Sequence, residues 1–324
     1  MSLRTLERPP GMLTLYARAA APLLPGTSLL PFLSGGGGEI PDLELALAGV
    51  TVDSRHLAAY TGVCSMTMRE QLPATYLHVL AFPLHMALMT DSSFPFGAIG
   101  LVHISNRITQ HRPVRVEEEL DLRVRATPLQ EHPRGRAFSI VTEARVGEEL
   151  VWDELSTMLR RGGGTHDGTG GAPRGGRDEE LKSESGEREA EGGPEELVGL
   201  PLAAEWRLPG DLGRRYASAS GDRNPIHLHA LSAKAFGFPA AIAHGMWTKA
   251  RCMAALEQLL PSAFTVTVRF RRPILLPGKV AFGTADEARA VDFSVTDLRK
   301  GTPHLEGRLE PIAAQQKSER GRTK

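Results

Sequence analysis

Apolar residues dominate every face of the stretch 73–90, the pattern of a helix buried all round rather than an amphipathic surface helix. A shorter helix is predicted before it, with Asp53 or Ser54 as the cap and Gly62 as the stop, and Pro83 is placed to kink the longer one. Residues 101–114, 119–129, 136–146 and 149–161 combine β-branched side chains with partial apolar–polar alternation and predict strands. Further on, Asp211 is positioned to cap a helix over 212–219 that ends at Gly221. Another short helix over 230–236 stops at Gly237 and Pro239, and a longer one begins near His244. Residues 12–21 predict a short helix docked on the first domain.

This succession occurs twice. The helix end around Tyr60 recurs around Tyr216, and the helix after Pro73 recurs as the one after Pro239. Gln110-His111-Arg112-Pro113-Val114 returns as Phe270-Arg271-Arg272-Pro273-Ile274, and Phe138-Ser139-Ile140-Val141-Thr142 as Phe293-Ser294-Val295-Thr296. Shared order and spacing argue for duplication of one α+β unit, a buried helix against antiparallel strands. Residues 162–196 lack aromatics and hold almost no apolar residues, so they cannot offset the entropy of ordering and predict a tether. The expected division is an N-terminal extension over 1–39, a first unit over 40–161, a linker over 162–197, a second unit over 198–312 and a frayed tail over 313–324.

Composition narrows the class. The chain has 324 residues and zero formal net charge, which gives no bulk sign of nucleic-acid binding. Its two cysteines, Cys64 and Cys252, do not make a disulfide framework and fit a reducing cytoplasm. No apolar run approaches the roughly 20 residues of a membrane span. Glu7, Pro9, Pro10 and Gly11 break up the start, which does not read as a secretory signal.

Candidate chemistry gathers between Tyr216 and Met246. Asp222, Asn224 and His227 stand close together, followed by His244-Gly245. Pro225 pushes Asn224 out of the helical region, so acid and imidazole are expected across a bend rather than along one helix face. A Gly245 at a helix start presents a free N–H at the positive end of the helix dipole, suited to a developing oxyanion. Gly-Asp and Asn-Pro also form plain turns, but a turn requires neither the imidazole nor the second glycine. His227, His229 and His244 invite a metal reading; residues of a short segment that turns helical face different ways, which disfavours it. His78, His85, His103 and His111 have no acid at a telling spacing and read as packing or surface. Arg269, Arg271 and Arg272 suit phosphate, but strand alternation would send Arg272 to the opposite face from the other two, so phosphate contacts stay unassigned.

Tyr216, Gly221-Asp222-Arg223-Asn224-Pro225-Ile226-His227, Ala233 to Phe236 and His244-Gly245-Met246 together resemble the signature of the MaoC-like family of R-specific enoyl-CoA hydratases and (3R)-hydroxyacyl-thioester dehydratases. The resemblance implies a double hotdog fold, a pseudo-dimer in one chain, with Asp222 and His227 catalytic and Gly245 and Asn224 binding substrate. It implies reversible hydration of trans-2-enoyl thioesters, carried on coenzyme A or an acyl carrier protein; no metal, flavin or nicotinamide is expected, since no glycine-rich dinucleotide fingerprint occurs. His229 departs from the family's usual Asp or Asn and weakens the cap of the following helix. Aligned on Gly62, the first copy reads Gly62-Val63-Cys64-Ser65-Met66-Thr67-Met68 and has neither acid nor imidazole, so chemistry is expected in the second half and acyl-chain binding in the first. A hotdog thioesterase and a non-catalytic acyl-thioester binding subunit remain alternatives. A monomer or a homodimer is expected.

Overall fold

One sheet carries two copies of the same strand order, related by a seam at its centre. The computed structural model describes residues 2–20, 38–161, 199–287 and 290–312; the linker and tail expectations lie outside these residues. The elements are β1 (Ser2–Leu6), α1 (Met12–Ala20), β2 (Leu43–Val50), α2 (Ser54–Cys64), α3 (Ala74–Met89), β3 (Val102–Gln110), β4 (Leu120–Ala126), β5 (Gln130–His132), β6 (Gly135–Val146) and β7 (Glu149–Arg161). The second half gives β8 (Leu202–Leu208), α4 (Leu212–Ser220), α5 (Pro225–Leu228), α6 (Ala230–Ala235), α7 (Gly245–Ala255), β9 (Phe264–Phe270), β10 (Gly278–Glu287), β11 (Ala290–Asp297) and β12 (Pro303–Pro311).

Spatial order is β1-β2-β4-β6-β7-β3-β9-β12-β11-β10-β8, with β5 paired to β6. With β1 and β5 set aside, each half has five strands and from the seam outward runs through its second, fifth, fourth, third and first. Antiparallel β3 and β9 join the halves, with Arg107 opposite Thr267 and buried Ile108 opposite buried Val266. This is an α+β double hotdog, each half of the sheet wrapped on its own helix. In α3, Tyr76, Leu77, Ala81, Leu84 and Leu88 are all sealed from solvent, and burying one such leucine contributes about 1.5–3 kcal/mol. Pro83 lies inside that helix without ending it.

Local expectations met mixed outcomes. Asp53 caps α2, its carboxylate accepting from the amides of Arg55 and His56. Gly62 does not stop that helix, which runs on to Cys64 and turns at Ser65, φ 57°. Asp211 precedes α4 without a side-chain capping bond, because its own backbone is already helical, whereas Gly221 ends α4 at φ 76° as expected. Strand β1 was not foreseen: it pairs in parallel with β2 and extends the sheet edge.

Ser65 and Gly221 both end their helices in the left-handed conformation, five positions after Tyr60 and Tyr216. The correct alignment of the copies thus starts at Ser65, not Gly62. Leu72 N–H bonds the carbonyl of Val114 just as Ala243 N–H bonds that of Ile274, which puts Pro73 at the place of His244 and Ala74 at that of Gly245. The bridged residues Gln71 and Ile242 are also equivalent. Between these anchors the chain takes six positions from Ser65 to Gln71 but twenty-one from Gly221 to Ile242. The first half lacks the segment that bears α5 and α6, along with its acid and imidazole.

Candidate active site

Two hydrogen bonds hold the extra segment against the second half: Arg214 Nη1 donates to the carbonyl of Leu228 at 3.0 Å and Ile242 N–H to the carbonyl of Ile226 at 3.1 Å. Ser232 Oγ, donating to the carbonyl of Pro225 at 2.7 Å, braces the segment internally. Helix α4 lies so close that a Cβ on Gly213 would meet the His227 carbonyl oxygen at 1.9 Å. Asn224 has φ −55° and ψ 126°, the extended geometry that Pro225 imposes, and its Oδ1 caps α5 through Ile226 N–H. Its own N–H donates to Asp222 Oδ1 at 3.1 Å. His229 makes no side-chain cap to α6.

The bend delivers Asp222 and His227 to one place. A carboxylate oxygen of Asp222, a nitrogen of His227 and one of His244 all lie within 4.8 Å of one another. His227 is buried, and its Nδ1 lies 2.8 Å from the carbonyl of Ile242. A carbonyl only accepts, so Nδ1 carries the hydrogen and Nε2 keeps its lone pair. Burial lowers the His227 pKa against the opposing pull of Asp222 and the Ile242 carbonyl, and the ring is neutral at physiological pH. For Asp222 burial acts upward, but the His244 and His227 imidazoles, the Asn224 amide and the Tyr16 hydroxyl outweigh it, and its pKa falls below the ordinary value. Its side chain keeps 29% exposure.

His244 has a different place. Its Nε2 donates to the backbone carbonyl of Asp222 at 3.0 Å, and its ring stacks on His227 at 3.7 Å and 23°. Burial, with His227 adding, pushes its pKa down to about 3. Gly245 is the first residue of α7, and its N–H has no acceptor among the described residues. A Cβ there would stand 3.0–3.2 Å from the Phe270 ring, so glycine lets that ring lie against the helix start.

These groups line one cavity of about 470 Å³, within the range of small-molecule sites. Asp222, Asn224, His227 and Gly245 supply one end, while Phe82, Met86 and Met89 of α3 line it from the first half. The chemistry on offer is two acceptors, the Asp222 carboxylate and His227 Nε2, beside an uncommitted helix-start donor.

The chain resembles known proteins over nearly its whole length. It is 35% identical to 3-hydroxyacyl-thioester dehydratase X of Mycobacterium tuberculosis over 303 residues, covering 93% of this chain and 98% of that one. The chain belongs to the MaoC-like dehydratase family. A profile described as MaoC like domain matches residues 205–306 of this MaoC-like protein. The crystal structure of the same mycobacterial dehydratase superposes with TM-score 0.69 at 33% identity, covering 83% of this chain and all of that one. Enoyl-CoA hydratase ChsH3 of the same organism is 26% identical over 72% of this chain and 80% of its own length. A MaoC-like dehydratase from Phytophthora capsici, 18% identical and with TM-score 0.62, covers 86% of this chain and 97% of its own and shares the fold.

Several features of the MaoC-like site escaped the sequence. Tyr16 of α1, expected only to dock on the first domain, donates its hydroxyl to Asp222 Oδ1 at 3.2 Å and accepts from Arg223 N–H at 2.6 Å. His78 and His85 are not mere packing: Glu154, 76 positions from His78, bonds it at 2.9 Å, and His85 bonds Thr142 at 2.7 Å. His111 likewise has an acid partner, Asp153, at 2.7 Å. Strand β9 ends at Phe270, so alternation does not extend to Arg272, and Arg269, Arg271 and Arg272 all line the cavity. Arg271 is tied to Glu306. A tyrosine in an isolated N-terminal helix carried no sequence signal of its target.

Proposed function

We propose that this chain interconverts trans-2-enoyl and (3R)-3-hydroxyacyl thioesters by reversible addition of water, a hydro-lyase of fatty-acyl metabolism. The observation that carries this reading is the convergence of Asp222 and a neutral His227 with free Nε2 on one cavity that Gly245 also lines. Two acceptors side by side suit a molecule with two donors, and water is the smallest such molecule. In hydration His227 Nε2 takes a proton from the water as its oxygen attacks C3, and returns that proton to C2. Asp222 accepts from the second O–H and orients it. Dehydration is the same path reversed. The Gly245 N–H receives the thioester oxygen as charge develops there; one such donor is typically worth about 100–1,000-fold in rate.

The second half supplies the reacting groups, and the first half takes the acyl chain along α3. Because one chain contributes both walls of the cavity, a monomer is sufficient for activity. The carrier is coenzyme A or an acyl carrier protein, and no cofactor takes part. Turnover of crotonyl-CoA, followed as loss of the enoyl absorbance, tests the reading in the wild type, Asp222→Asn and His227→Ala. Each substitution should slow hydration by about 100–10,000-fold. Undiminished rates in both variants, or release of free thiol in place of hydration, would overturn it.

A further inference from the structure

The cavity has a second polar wall, carried on α3 and β3 rather than on the segment that bears Asp222 and His227. His78, buried on α3, places Nδ1 2.9 Å from both oxygens of Glu154, which is itself sealed inside the protein. Asn106 Nδ2 donates to the same carboxylate at 2.5 Å, and Asn106 Oδ1 accepts from Lys249 Nζ at 2.5 Å. Lys249 is completely buried and donates also to the carbonyls of Val266 and Asn106. His78, His85 and His103 all line the cavity, and His103 Nε2 is a buried polar atom with no protein partner. Burying an acid and a base together is costly, and an apolar wall would serve a plain acyl chain at least as well.

The order of these groups fixes what His78 presents. A carboxylate only accepts, so Nδ1 carries the hydrogen, and in the neutral ring Nε2 keeps its lone pair. Nε2 has no protein partner among the described residues. A cation held by His78, His85 and Glu154, whose ligand atoms lie within 4.8 Å of one another, is disfavoured. The carboxylate already serves His78 and Asn106, and the Lys249 ammonium supplies the neighbouring positive charge.

We propose that this wall is a second recognition point for the substrate, at which His78 Nε2 accepts a hydrogen bond from a hydroxyl carried by the acyl chain beyond its reacting carbons. The proposal rests on the acyl-thioester reading above and names its substrate class: hydroxylated acyl thioesters. Glu154 is the residue that positions His78, as an acid orients the imidazole in a hydrolase triad.

The test is a ladder of trans-2-enoyl-CoA substrates of increasing length, each as the plain chain, the terminal alcohol and its methyl ether. Crotonyl-CoA, which ends just past the reacting carbons, reads the chemistry at Asp222 and His227 alone, so its failure marks failure of the parent reading. With the wild type, one rung should show the alcohol favoured over both the plain chain and the ether by about tenfold in kcat/KM. In His78→Phe that ratio should fall to one or below; taking the ratio within one preparation cancels any loss of folded protein. An alcohol that is never favoured at any length, or an ether that serves as well, overturns the proposal on the wild-type data alone.

Discussion

Tyr16 Oη lies 3.2 Å from Asp222 Oδ1, a bond that joins the N-terminal helix to the candidate catalytic acid across 206 positions of chain. Burial and the neighbouring carboxylate hold the Tyr16 pKa far above its ordinary value, so the phenol stays protonated and donates. Tyr16→Phe keeps the ring and removes the donor. A hydrogen bond to a charged group is worth about 1.5–3 kcal/mol, so kcat should fall by about 10–100-fold with less change in KM. Because the bond helps lower the Asp222 pKa, its loss raises that pKa and moves the acid limb of the kcat/KM profile to higher pH. An unshifted limb with unchanged kcat would reduce Tyr16 to a packing residue.

Gly213 sets the distance between α4 and α5. An alanine Cβ at 1.9 Å from the His227 carbonyl oxygen cannot be accommodated by a side-chain rotation, because the atom it meets is backbone. Gly213→Ala must push α5 outward and carry the imidazole with it. Overpacking of this kind costs about 1–3 kcal/mol, and a misplacement of about 1 Å costs on the order of 100-fold in rate. Crotonyl-CoA turnover and a thermal melt on one sample separate the two effects. Near-normal values of both would contradict this packing of α4 on α5.

What the sequence made legible was what is local in it. Asp222, the proline bend, His227 and the glycine opening α7 lie within one short stretch of chain, where backbone rules predict the bend and the helix start and the family resemblance points to the residues. The register of the duplication was misjudged because Gly62 looked like the natural stop, whereas Ser65 takes the left-handed turn. Nothing local announced Tyr16–Asp222, His78–Glu154 or Asn106–Lys249, pairs separated by 206, 76 and 143 positions. Those contacts depend on which strands meet at the seam, and a single sequence does not state its strand register.

Acid should weaken the fold through a defined set of groups. Burial pushes His85 and His103 down to about 3, with His78 adding, and does the same to His244 with His227 adding. In the unfolded chain these rings titrate near about 6.5. Below that value the unfolded state binds protons that the native state refuses, so stability is full above it and falls as pH drops toward 3. Glu154 acts in the same direction: burial raises its pKa, but His78, His85 and Asn106 bring it down to about 2. Its contribution is present above the ordinary carboxyl range and is lost as pH falls through that window. Denaturant midpoints compared at about pH 7 and about pH 5 should show a lower value in acid, reversible on return. A flat response would mean that these rings are hydrated and free to charge.

Lys249 and Glu154 are held together through Asn106, and the coupling is measurable. Burial lowers the Lys249 pKa to about 7 although Glu154 opposes it, and Nζ donates to three acceptors, two on Asn106 and one on Val266. Lys249→Met removes the cation and leaves the Glu154 carboxylate in the interior with imidazoles and an amide alone. Removing one partner of a buried pair typically costs about 3–5 kcal/mol. Glu154→Gln, taken singly, strands the ammonium in turn. If the two form one unit, the double variant Lys249→Met/Glu154→Gln loses less than the two singles added, by about 1 kcal/mol or more in denaturant unfolding. Strict additivity would show that α7 and β7 are stabilised independently and that Asn106 does not transmit charge between them.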